Sequence, residues 1–223
     1  MEDIKAKIVI TKDGPYLVHG NLPLYKEEAV IDDEDTPVSW RIVGEYEHKE
    51  TYALCRCGKS QNMPFCDGAH IRTGFKGKET ASHERYYKQA RKLVGHNLVL
   101  YDARELCMGI GFCHRAGSTW LLTRYSDDFR KRQLAIETAC DCPAGRLVVA
   151  DRNTEMPIEP KFEPSVSVIV DPRFRQISPL WVKGGVQIIS EDGTLYEVRN
   201  RVTLCACGRS HNKPFCDGRH YFA

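Results

Sequence analysis

The sequence predicts an α+β protein in which two small β-rich modules, drawn from the two ends of the chain, flank an inserted α+β segment. Three observations carry this prediction: the ten cysteines fall into three tight groups, the two outer groups are copies of each other, and short β-rich segments precede both copies. We therefore divide the 223 residues into an N-terminal module (1–84), an insert (85–165) and a C-terminal module (166–223).

Composition narrows the class of protein before any motif is considered. A hydrophobic content of 42% and a charged content of 28% are ordinary for a globular protein. The formal net charge of +2 gives no basic footprint for nucleic acid. No apolar run approaches the ~18–20 residues that span a bilayer, and the N-terminus lacks a signal-peptide layout. We expect a cytoplasmic protein without a nucleic-acid or membrane partner, in which cysteines serve metal or redox chemistry more often than disulfides.

The strands are predicted from a second, weaker repeat. Residues 14–27 align without a gap to residues 178–191, and both stretches contain a β-rich segment that ends at glycine, YLVHG and LWVKG. Farther on, GVQIISEDGTLYEV has the pattern of a hairpin that turns at Asp192-Gly193. The strands TYAL and RVTL then lead directly into Cys55 and Cys205, so each cysteine group is expected at the end of a sheet.

The two outer cysteine groups share the spacing C-x-C-x8-C-x3-H. Residues 55–70 and 205–220 align without a gap and are identical at 11 of 16 positions. One helical turn would place Cys66 and His70 on the same face, with Asp67 as its cap, and Asp217 has the same place in the second copy. Chance would have to produce this spacing twice. Zinc remains an alternative, because Cys3His is a known structural set, although C-x-C is tighter than the usual zinc-finger pair.

The pattern C-x-C-x2-S-x3-P-x-C-D-G-x-H resembles the CDGSH iron–sulfur family, also called the NEET proteins. Ala69 and Arg219 replace the second serine of the family pentapeptide, at a position that is not a ligand. The resemblance implies one 2Fe–2S cluster on each motif, and two motifs in one chain imply that the modules pair with each other as a pseudo-twofold unit. The implied ligands are Cys55, Cys57, Cys66 and His70 at one site, and Cys205, Cys207, Cys216 and His220 at the other.

A single histidine ligand has chemical consequences. Neutral imidazole in place of thiolate raises the cluster potential above the ~−400 mV of all-cysteine plant-type ferredoxins. Imidazole must be neutral to bind iron, so protonation competes with ligation as the pH falls toward ~6.5. We therefore predict an electron-transfer protein with a redox partner. The alternatives are cluster storage and transfer to an apo iron–sulfur acceptor, and a structural zinc protein. No Rossmann, P-loop or nucleophile-elbow motif occurs, so we do not expect an enzyme.

The insert contains four further cysteines. Cys107-x5-Cys113 and a later Cys142-Pro143 resemble the divergent mono-cluster ferredoxin-like domain, with Ile110 where the central cysteine of a bacterial ferredoxin would stand. This resemblance implies a 3Fe–4S or 4Fe–4S cluster on Cys107, Cys113 and Cys142, with Cys140 as the nearest candidate for a fourth ligand. The alternatives are a scaffold that has lost its cluster and a structural zinc on all four cysteines.

The remaining residues of the insert and the other histidines and tryptophans are assigned simpler roles. Residues 126–139 have the pattern of a helix capped by Ser126, with Asp127 and Asp128 at its positive end. His83, His96 and His114 lack a partner pattern and are expected at the surface, and Trp40, Trp120 and Trp181 are expected to pack. His19 and His211 align with Lys183 and Gln61 in the repeats, so neither is expected to be a ligand.

Overall fold

A computed structural model describes residues 6–174 and 179–222. The chain is mixed α/β, with mostly strands and few helices, which confirms this part of the predicted fold class. The first residue of the second upstream repeat, Ser178, lies outside the described residues. The strands are β1 (Lys7–Ile10), β2 (Tyr16–His19), β3 (Leu24–Ile31), β4 (Pro37–Glu45), β5 (Tyr52–Leu54), β6 (Arg91–Val94), β7 (Leu98–Asp102), β8 (Leu147–Asp151), β9 (Pro157–Ile158), β10 (Ser165–Val170), β11 (Leu180–Lys183), β12 (Gln187–Ile189) and β13 (Arg201–Leu204).

The helices are short except for one in the insert. The α-helices are α1 (Ala69–Arg72), α2 (Tyr86–Gln89), α3 (Thr119–Arg124) and α4 (Phe129–Cys140), and 3-10 turns cover Arg104–Leu106, Phe112–Gly117 and Arg219–Phe222. Within the described ranges, none of the helices has the length and apolar character that crossing a bilayer requires.

The two ends of the chain exchange strands. The first sheet has the order β12-β1-β2-β5, and the second has the order β13-β11-β10-β3-β4. The C-terminal strand β12 therefore lies beside the N-terminal β1, in parallel, with Lys7 opposite Gln187. The N-terminal strand β3 likewise lies parallel to β10, with Leu24 opposite Val166. The first sheet thus contains one strand from the C-terminal end, and the second contains two strands, β3 and β4, from the N-terminal end.

Alternating apolar residues of both ends fill one hydrophobic cluster. In β1 and β2 the buried and half-buried positions alternate, as expected for strands with one face against a core. Ile8 and Val18 of the first sheet and Leu24, Val182 and Leu204 of the second all belong to this cluster. The two sheets thus enclose one core, and both ends of the chain supply residues to it.

The insert forms a sheet of its own with the order β6-β7-β8-β9. The central strand β8 is buried along nearly its whole length, because α4 covers one face through Ala139 and Tyr86 packs with Val148 on the other. An aromatic contact joins the insert to the second sheet. The Trp40 ring lies 5.0 Å from Phe112 of the insert and 4.8 Å from Trp181 of β11, measured between centroids.

The predicted helix in the insert exists, but its predicted cap is wrong. The helix begins at Phe129, and Asp128 caps it by accepting a hydrogen bond from the Lys131 amide at 2.9 Å. The Ser126 hydroxyl instead accepts hydrogen bonds from the Asn97 and Leu98 amides, at 2.8 and 3.0 Å. Ser126 is fully buried, and its hydroxyl satisfies the buried Leu98 amide of β7 and the preceding loop amide of Asn97, whereas the helix has another acceptor in Asp128.

The predicted hairpin at Asp192-Gly193 is only half formed as strand. The turn is present, since the Asp192 carboxylate accepts from the Thr194 amide at 2.9 Å and Gly193 has φ +88°. After the turn, pairing with β12 is limited to a bridge between Ile189 and Leu195. The Tyr196 hydroxyl donates to the Glu79 carboxylate at 2.7 Å, while the Tyr196 amide still donates to the Ile188 carbonyl of β12 at 3.1 Å.

A buried ion pair connects the two ends of the chain across the second sheet. The Lys183 ammonium of β11 donates to the Glu27 carboxylate of β3 at 2.5 Å, and the Ser167 hydroxyl of the intervening β10 donates to the same oxygen at 2.7 Å. Both charged side chains are less than a tenth exposed. Removing one partner would leave an uncompensated charge in the sheet.

We predict that Lys183→Met lowers the free energy of unfolding by about 3–5 kcal/mol, because it leaves the buried Glu27 carboxyl group without its cationic partner. The double variant Glu27→Gln/Lys183→Met should recover at least half of that loss, since the amide oxygen still accepts from Ser167. Urea unfolding of the three proteins measures both changes. Equal losses in the single and double variants would contradict this electrostatic account.

Candidate metal centres

Each outer motif is a loop that leaves a strand end and returns beside it. In the first copy, the Cys55 amide donates to the Pro64 carbonyl at 2.8 Å and the Cys66 amide donates to the Ala53 carbonyl at 2.9 Å. The second copy repeats both bonds at 2.8 and 2.9 Å, from Cys205 and Cys216. The sheet therefore fixes the first and third cysteines of each motif side by side.

Serine and aspartate side chains brace each loop. The Ser60 hydroxyl donates to the Phe65 carbonyl at 2.6 Å and accepts from the Asn62 amide at 3.0 Å. The Asp67 carboxylate accepts from the Gln61 amide at 3.0 Å and from the Ala69 amide at 2.9 Å. The carboxylate thus holds the first turn of α1, although the formal cap residue is the following glycine. The second copy has the same contacts from Ser210 and Asp217.

The eight predicted ligands come together as two pairs in each motif. Sulfur-to-sulfur distances are 3.7 Å for both C-x-C pairs, Cys55 with Cys57 and Cys205 with Cys207. The third cysteine and the histidine are separated by 3.4 Å between Sγ and Nδ1 in both copies. In residues 6–174 and 179–222, no three or more His, Cys, Asp or Glu side chains converge as for a single metal ion.

The two motifs differ in burial. Cys66 and His70 of the first copy are half-buried, whereas their counterparts Cys216 and His220 are buried. Burial lowers the pKa of His220 to about 4, against the opposing charges of Asp171 and Asp217. The imidazole of the second motif is therefore neutral over the physiological range, which is the form that binds a metal.

The two thiols of the second C-x-C pair have pKa values that are shifted in opposite directions. A hydrogen bond from the Cys207 thiol lowers the pKa of Cys205 to about 6, and the same bond, with burial, raises the pKa of Cys207. Desolvation also raises the pKa of Cys57 in the first motif. Two thiols so close together cannot both ionise cheaply, and a metal cation between them would relieve the repulsion.

A buried cation lies beside the first motif. Arg56, between the two cysteines of C-x-C, is only 1% exposed, and its guanidinium donates to the carbonyl oxygens of Thr11, Gly14 and Gly77. No carboxylate forms an ion pair with Arg56 in the described residues, and its buried Nε has no partner there. A buried guanidinium is stabilised by anionic neighbours. The Asp13 carboxylate is one, since the charge of Arg56 contributes, after the hydrogen bond from the Gly77 amide, to lowering the pKa of Asp13, and an anionic metal–thiolate group in the first motif would be another. Ala206 stands at this position in the second motif.

The two motifs lie back to back. Cys57 and Cys207 form an antiparallel backbone bridge. A Cβ atom on Gly58 would lie 2.7 Å from the Cys207 carbonyl oxygen, and one on Gly208 would lie 2.8 Å from the Cys57 carbonyl oxygen. The contact is thus reciprocal, and it is close because both neighbouring positions are glycine.

Three of the four insert cysteines surround one pocket. The loop from Cys107 to Cys113 lines this pocket together with Cys142. Burial, together with the charges of Cys142 and Cys107, raises the pKa of Cys113 to about 12. Cys140 does not line the pocket, and its thiol faces the Ile158 carbonyl at 3.7 Å. The structure therefore groups Cys107, Cys113 and Cys142 and places Cys140 apart from them.

Arg146 contacts the insert pocket and was not singled out from the sequence. Its guanidinium donates to the Cys107 sulfur at 3.0 Å, while the Asp102 carboxylate accepts from the same guanidinium at 2.7 and 3.0 Å. No sequence motif or ligand spacing identifies Arg146 as part of a metal site. Arg56 was also missed, but the alignment of the two motifs exposes it, because arginine faces alanine at one of the five differing positions.

The surface positions predicted for three other histidines are confirmed. His83, His96 and His114 are exposed. His19, at the end of β2, lies 3.4 Å from the Thr51 hydroxyl just before β5. His211 is an exposed loop residue.

Comparisons with known proteins confirm both resemblances. Residues 13–71 and 178–221 match the family described as iron-binding zinc finger of the CDGSH type. Residues 93–152 match the divergent 4Fe–4S mono-cluster family. The chain thus carries two CDGSH-type segments with a mono-cluster segment between them.

A curated relative and the solved structures complete the comparison. The chain is 43% identical over 54 residues to the mitochondrial CDGSH iron-sulfur domain-containing protein 3 of Mus musculus. The match covers 21% of this chain and 36% of the relative, so this chain spans about a third of the relative's length. No solved structure matches the chain. The family matches support iron–sulfur cluster binding by this protein.

We predict that Gly58→Ala and Gly208→Ala each lower the free energy of unfolding by about 1–3 kcal/mol more than Gly193→Ala does. All three glycines have φ between +69° and +88°, so backbone strain is common to them. Only the first two substitutions push a methyl group onto the opposite motif's backbone, whereas Gly193 has open space. Denaturant unfolding gives the comparison, and equal losses for all three would show that the back-to-back contact is loose.

Proposed function

We propose that each CDGSH-type motif binds a 2Fe–2S cluster through three cysteines and one histidine, and that the protein is an electron carrier and not an enzyme. The observation that carries this proposal is the division of each donor set into two pairs. In a 2Fe–2S centre each iron takes two protein ligands, as when two histidines replace two cysteines on one iron of a Rieske centre. Cys55 with Cys57 would hold one iron of the first site, and Cys66 with His70 the other.

The chain's own residues prepare each site for a redox role. The Gly68 and Gly218 amides point at the Cys66 and Cys216 sulfurs over 3.5 Å, and amide contacts of this kind stabilise the more negative, reduced state of a bound cluster. A neutral imidazole contributes no negative charge, which favours reduction further. When bound, a 2Fe–2S cluster supplies one-electron chemistry.

We propose a third cluster in the insert on Cys107, Cys113 and Cys142. These three thiols suffice for a 3Fe–4S cluster, and a 4Fe–4S cluster would need a ligand other than Cys140, whose thiol faces Ile158. Arg146 would lower the negative charge at the Cys107 sulfur through its hydrogen bond.

We also propose that the two motifs are a pseudo-twofold pair within one chain. The reciprocal strand exchange of β12 and β3 and the reciprocal glycine contacts at Gly58 and Gly208 support this arrangement. Partners would then be one-electron redox proteins. The relative's name assigns that protein to mitochondria, and the cytoplasmic location expected for this chain stays a prediction.

One observation favours a second function, the transfer of a cluster to an apo iron–sulfur acceptor. At the first motif Cys66 and His70 are half-buried, so an acceptor's thiols could reach the iron held by this pair. The second motif lacks this access, because Cys216 and His220 are buried. If donation occurs, we expect it from the first motif.

We expect the protein purified without oxygen to contain about seven or eight irons and about eight sulfides per chain, from two 2Fe–2S clusters and one 3Fe–4S or 4Fe–4S cluster. Metal and acid-labile sulfide analysis with a visible spectrum measures this content. About four irons and four sulfides would leave the insert without a cluster. Zinc without sulfide, in a colourless protein, would contradict the proposed function.

We expect His70→Cys and His220→Cys each to lower the midpoint potential of its own site by roughly 100–350 mV, by analogy with the shift that two histidines produce in Rieske centres. Each variant adds one negative charge to one cluster. His211→Gln is the matched control, because glutamine stands at this position in the first motif and the residue is not a proposed ligand. Unchanged potentials in both cysteine variants would mean that the histidines do not bind iron.

The same variants separate electron transfer from cluster transfer. An electron carrier keeps its iron through repeated reduction and oxidation. A cluster donor loses iron to an apo-ferredoxin, and His70→Cys should slow that loss more than His220→Cys if the half-buried site is the donor. Iron that stays bound in the presence of the apo-acceptor supports the carrier.

A further inference from the structure

We propose that the three centres form one ordered electron path, in which an electron enters at the insert, passes through the second CDGSH-type motif and leaves from the first. This inference rests on the proposed function, because it requires clusters at all three sites. It adds an order and a direction, and both follow from differences between the two copies of the motif.

The insert contacts the second motif at its CDG turn. A Cβ atom on Gly218 would lie 3.2 Å from the Met108 carbonyl oxygen and 3.3 Å from that of Cys107. Gly68, the same position in the first motif, has φ +83° as Gly218 does, yet nothing lies within 4 Å of its Cβ position. The backbone of a proposed insert ligand therefore touches the ligand loop of one motif and not that of the other.

The residue after the motif histidine strengthens this contact. The Tyr221 ring packs against the His220 ring at a tilt of 38°, with the ring centroids 4.1 Å apart, and a Cβ atom on Gly109 of the insert would lie 2.9 Å from the Tyr221 ring. The counterpart of Tyr221 in the first motif is Ile71, which is 77% exposed. An aromatic ring thus fills the space between the second motif's histidine and the insert loop.

The packing of Cys216 points the same way. This cysteine lies in one hydrophobic cluster with Met108, Ile110 and Phe112, and the half-buried Cys142 packs against that cluster. Ligand residues proposed for two different centres therefore share one apolar region. Electron tunnelling depends on such packed, continuous contact between centres.

The second motif in turn contacts the first through the bridge between Cys57 and Cys207. The Tyr16 hydroxyl of the N-terminal module also donates to the carbonyl oxygens of Cys205 and Pro214, at 2.9 and 3.2 Å. The second motif thus lies between the other two sites. The order is the insert, the second motif and then the first.

Charge and burial set the direction along this order. The first motif has the buried Arg56 guanidinium, which stabilises added negative charge, whereas the second has Ala206 there. Cys216 and His220 are more buried than Cys66 and His70, and burial disfavours the more negative, reduced cluster. Both effects place the potential of the first motif above that of the second.

The insert lies at the low-potential end. Its proposed ligands are all thiolates, so the insert lacks the rise in potential that histidine ligands give a 2Fe–2S centre. Arg146 donates to Cys107, but the Asp102 carboxylate pairs with that guanidinium in two hydrogen bonds and offsets its charge. The three potentials therefore rise from the insert to the second motif and from the second motif to the first.

The transfer is balanced as single electrons. A low-potential one-electron donor protein is oxidised as the insert centre is reduced, and each transfer then oxidises one centre and reduces the next. A one-electron acceptor protein is reduced at the first motif. No proton or covalent bond has to move in any of these steps.

The order is tested by electron paramagnetic resonance of the full chain, reduced with dithionite. Signals are assigned to the two motifs by the shifts that His70→Cys and His220→Cys produce. We expect the second motif's signal to relax faster than the first motif's, because a neighbouring paramagnetic insert centre speeds relaxation. Cys113→Ala should remove this difference. If that variant does not fold, the ratio of the two relaxation rates in the unaltered protein still tests the order.

The direction is tested by redox titration of the same signals. We expect a higher midpoint potential for the first motif than for the second, and we expect Arg56→Gln to lower the first midpoint without moving the second. Arg72→Gln is the matched control, because Arg72 also lies close to the first motif but its side chain is 64% exposed. If Arg56→Gln does not fold, the two midpoints of the unaltered protein still decide the direction.

Iron and sulfide analysis separates the failure of this inference from the failure of the proposed function. Protein without iron and sulfide overturns both. Two loaded motifs with an empty insert overturn the path and the third cluster, and leave standing the proposed 2Fe–2S sites of the two motifs. Three loaded centres with equal relaxation of the two motif signals, or with the first midpoint below the second, also overturn the path alone.

Discussion

The bridge between Cys57 and Cys207 is the contact on which the rest of the structure depends. It brings the two motif loops into contact next to Gly58 and Gly208, where the missing side chains leave room for the carbonyl oxygen of the opposite motif. The strand exchange supports it from both sides, since β12 completes the first sheet and β3 extends the second. A shared core then makes the two sites parts of one folding unit, and their relative position does not depend on a flexible linker.

Local patterns predict the motifs well because their chemistry is local. The strands that enter Cys55 and Cys205, the paired donors and the bracing aspartates all follow from residues within about one loop length of each other. Partner choice between strands is different. Nothing in the letters of β1 indicates that it lies parallel to β12, because this pairing joins residues about 180 positions apart and is decided by the common core.

Sequence reasoning fails where tertiary contacts compete for a polar group. Ser126 has the right identity and place for a helix cap, yet its hydroxyl accepts from the buried strand amide of Leu98 and the adjacent loop amide of Asn97. Cys140 is close to Cys142 in sequence, but the last turn of α4 directs its thiol to Ile158. Arg56 could have been found, because comparing the two motifs position by position isolates a charged residue where its copy has none.

Because of the strand exchange, the N-terminal strands and the first motif are synthesised well before the segments with which they pair. At about 5–20 residues per second, a ribosome needs roughly 7–30 s to make the ~150 residues between Cys57 and Cys207. During that interval the first motif's thiols exist without the opposite backbone that covers them, and β1 has no parallel neighbour. The nascent chain therefore presents the first motif's thiols, its proposed metal ligands, before its fold can close.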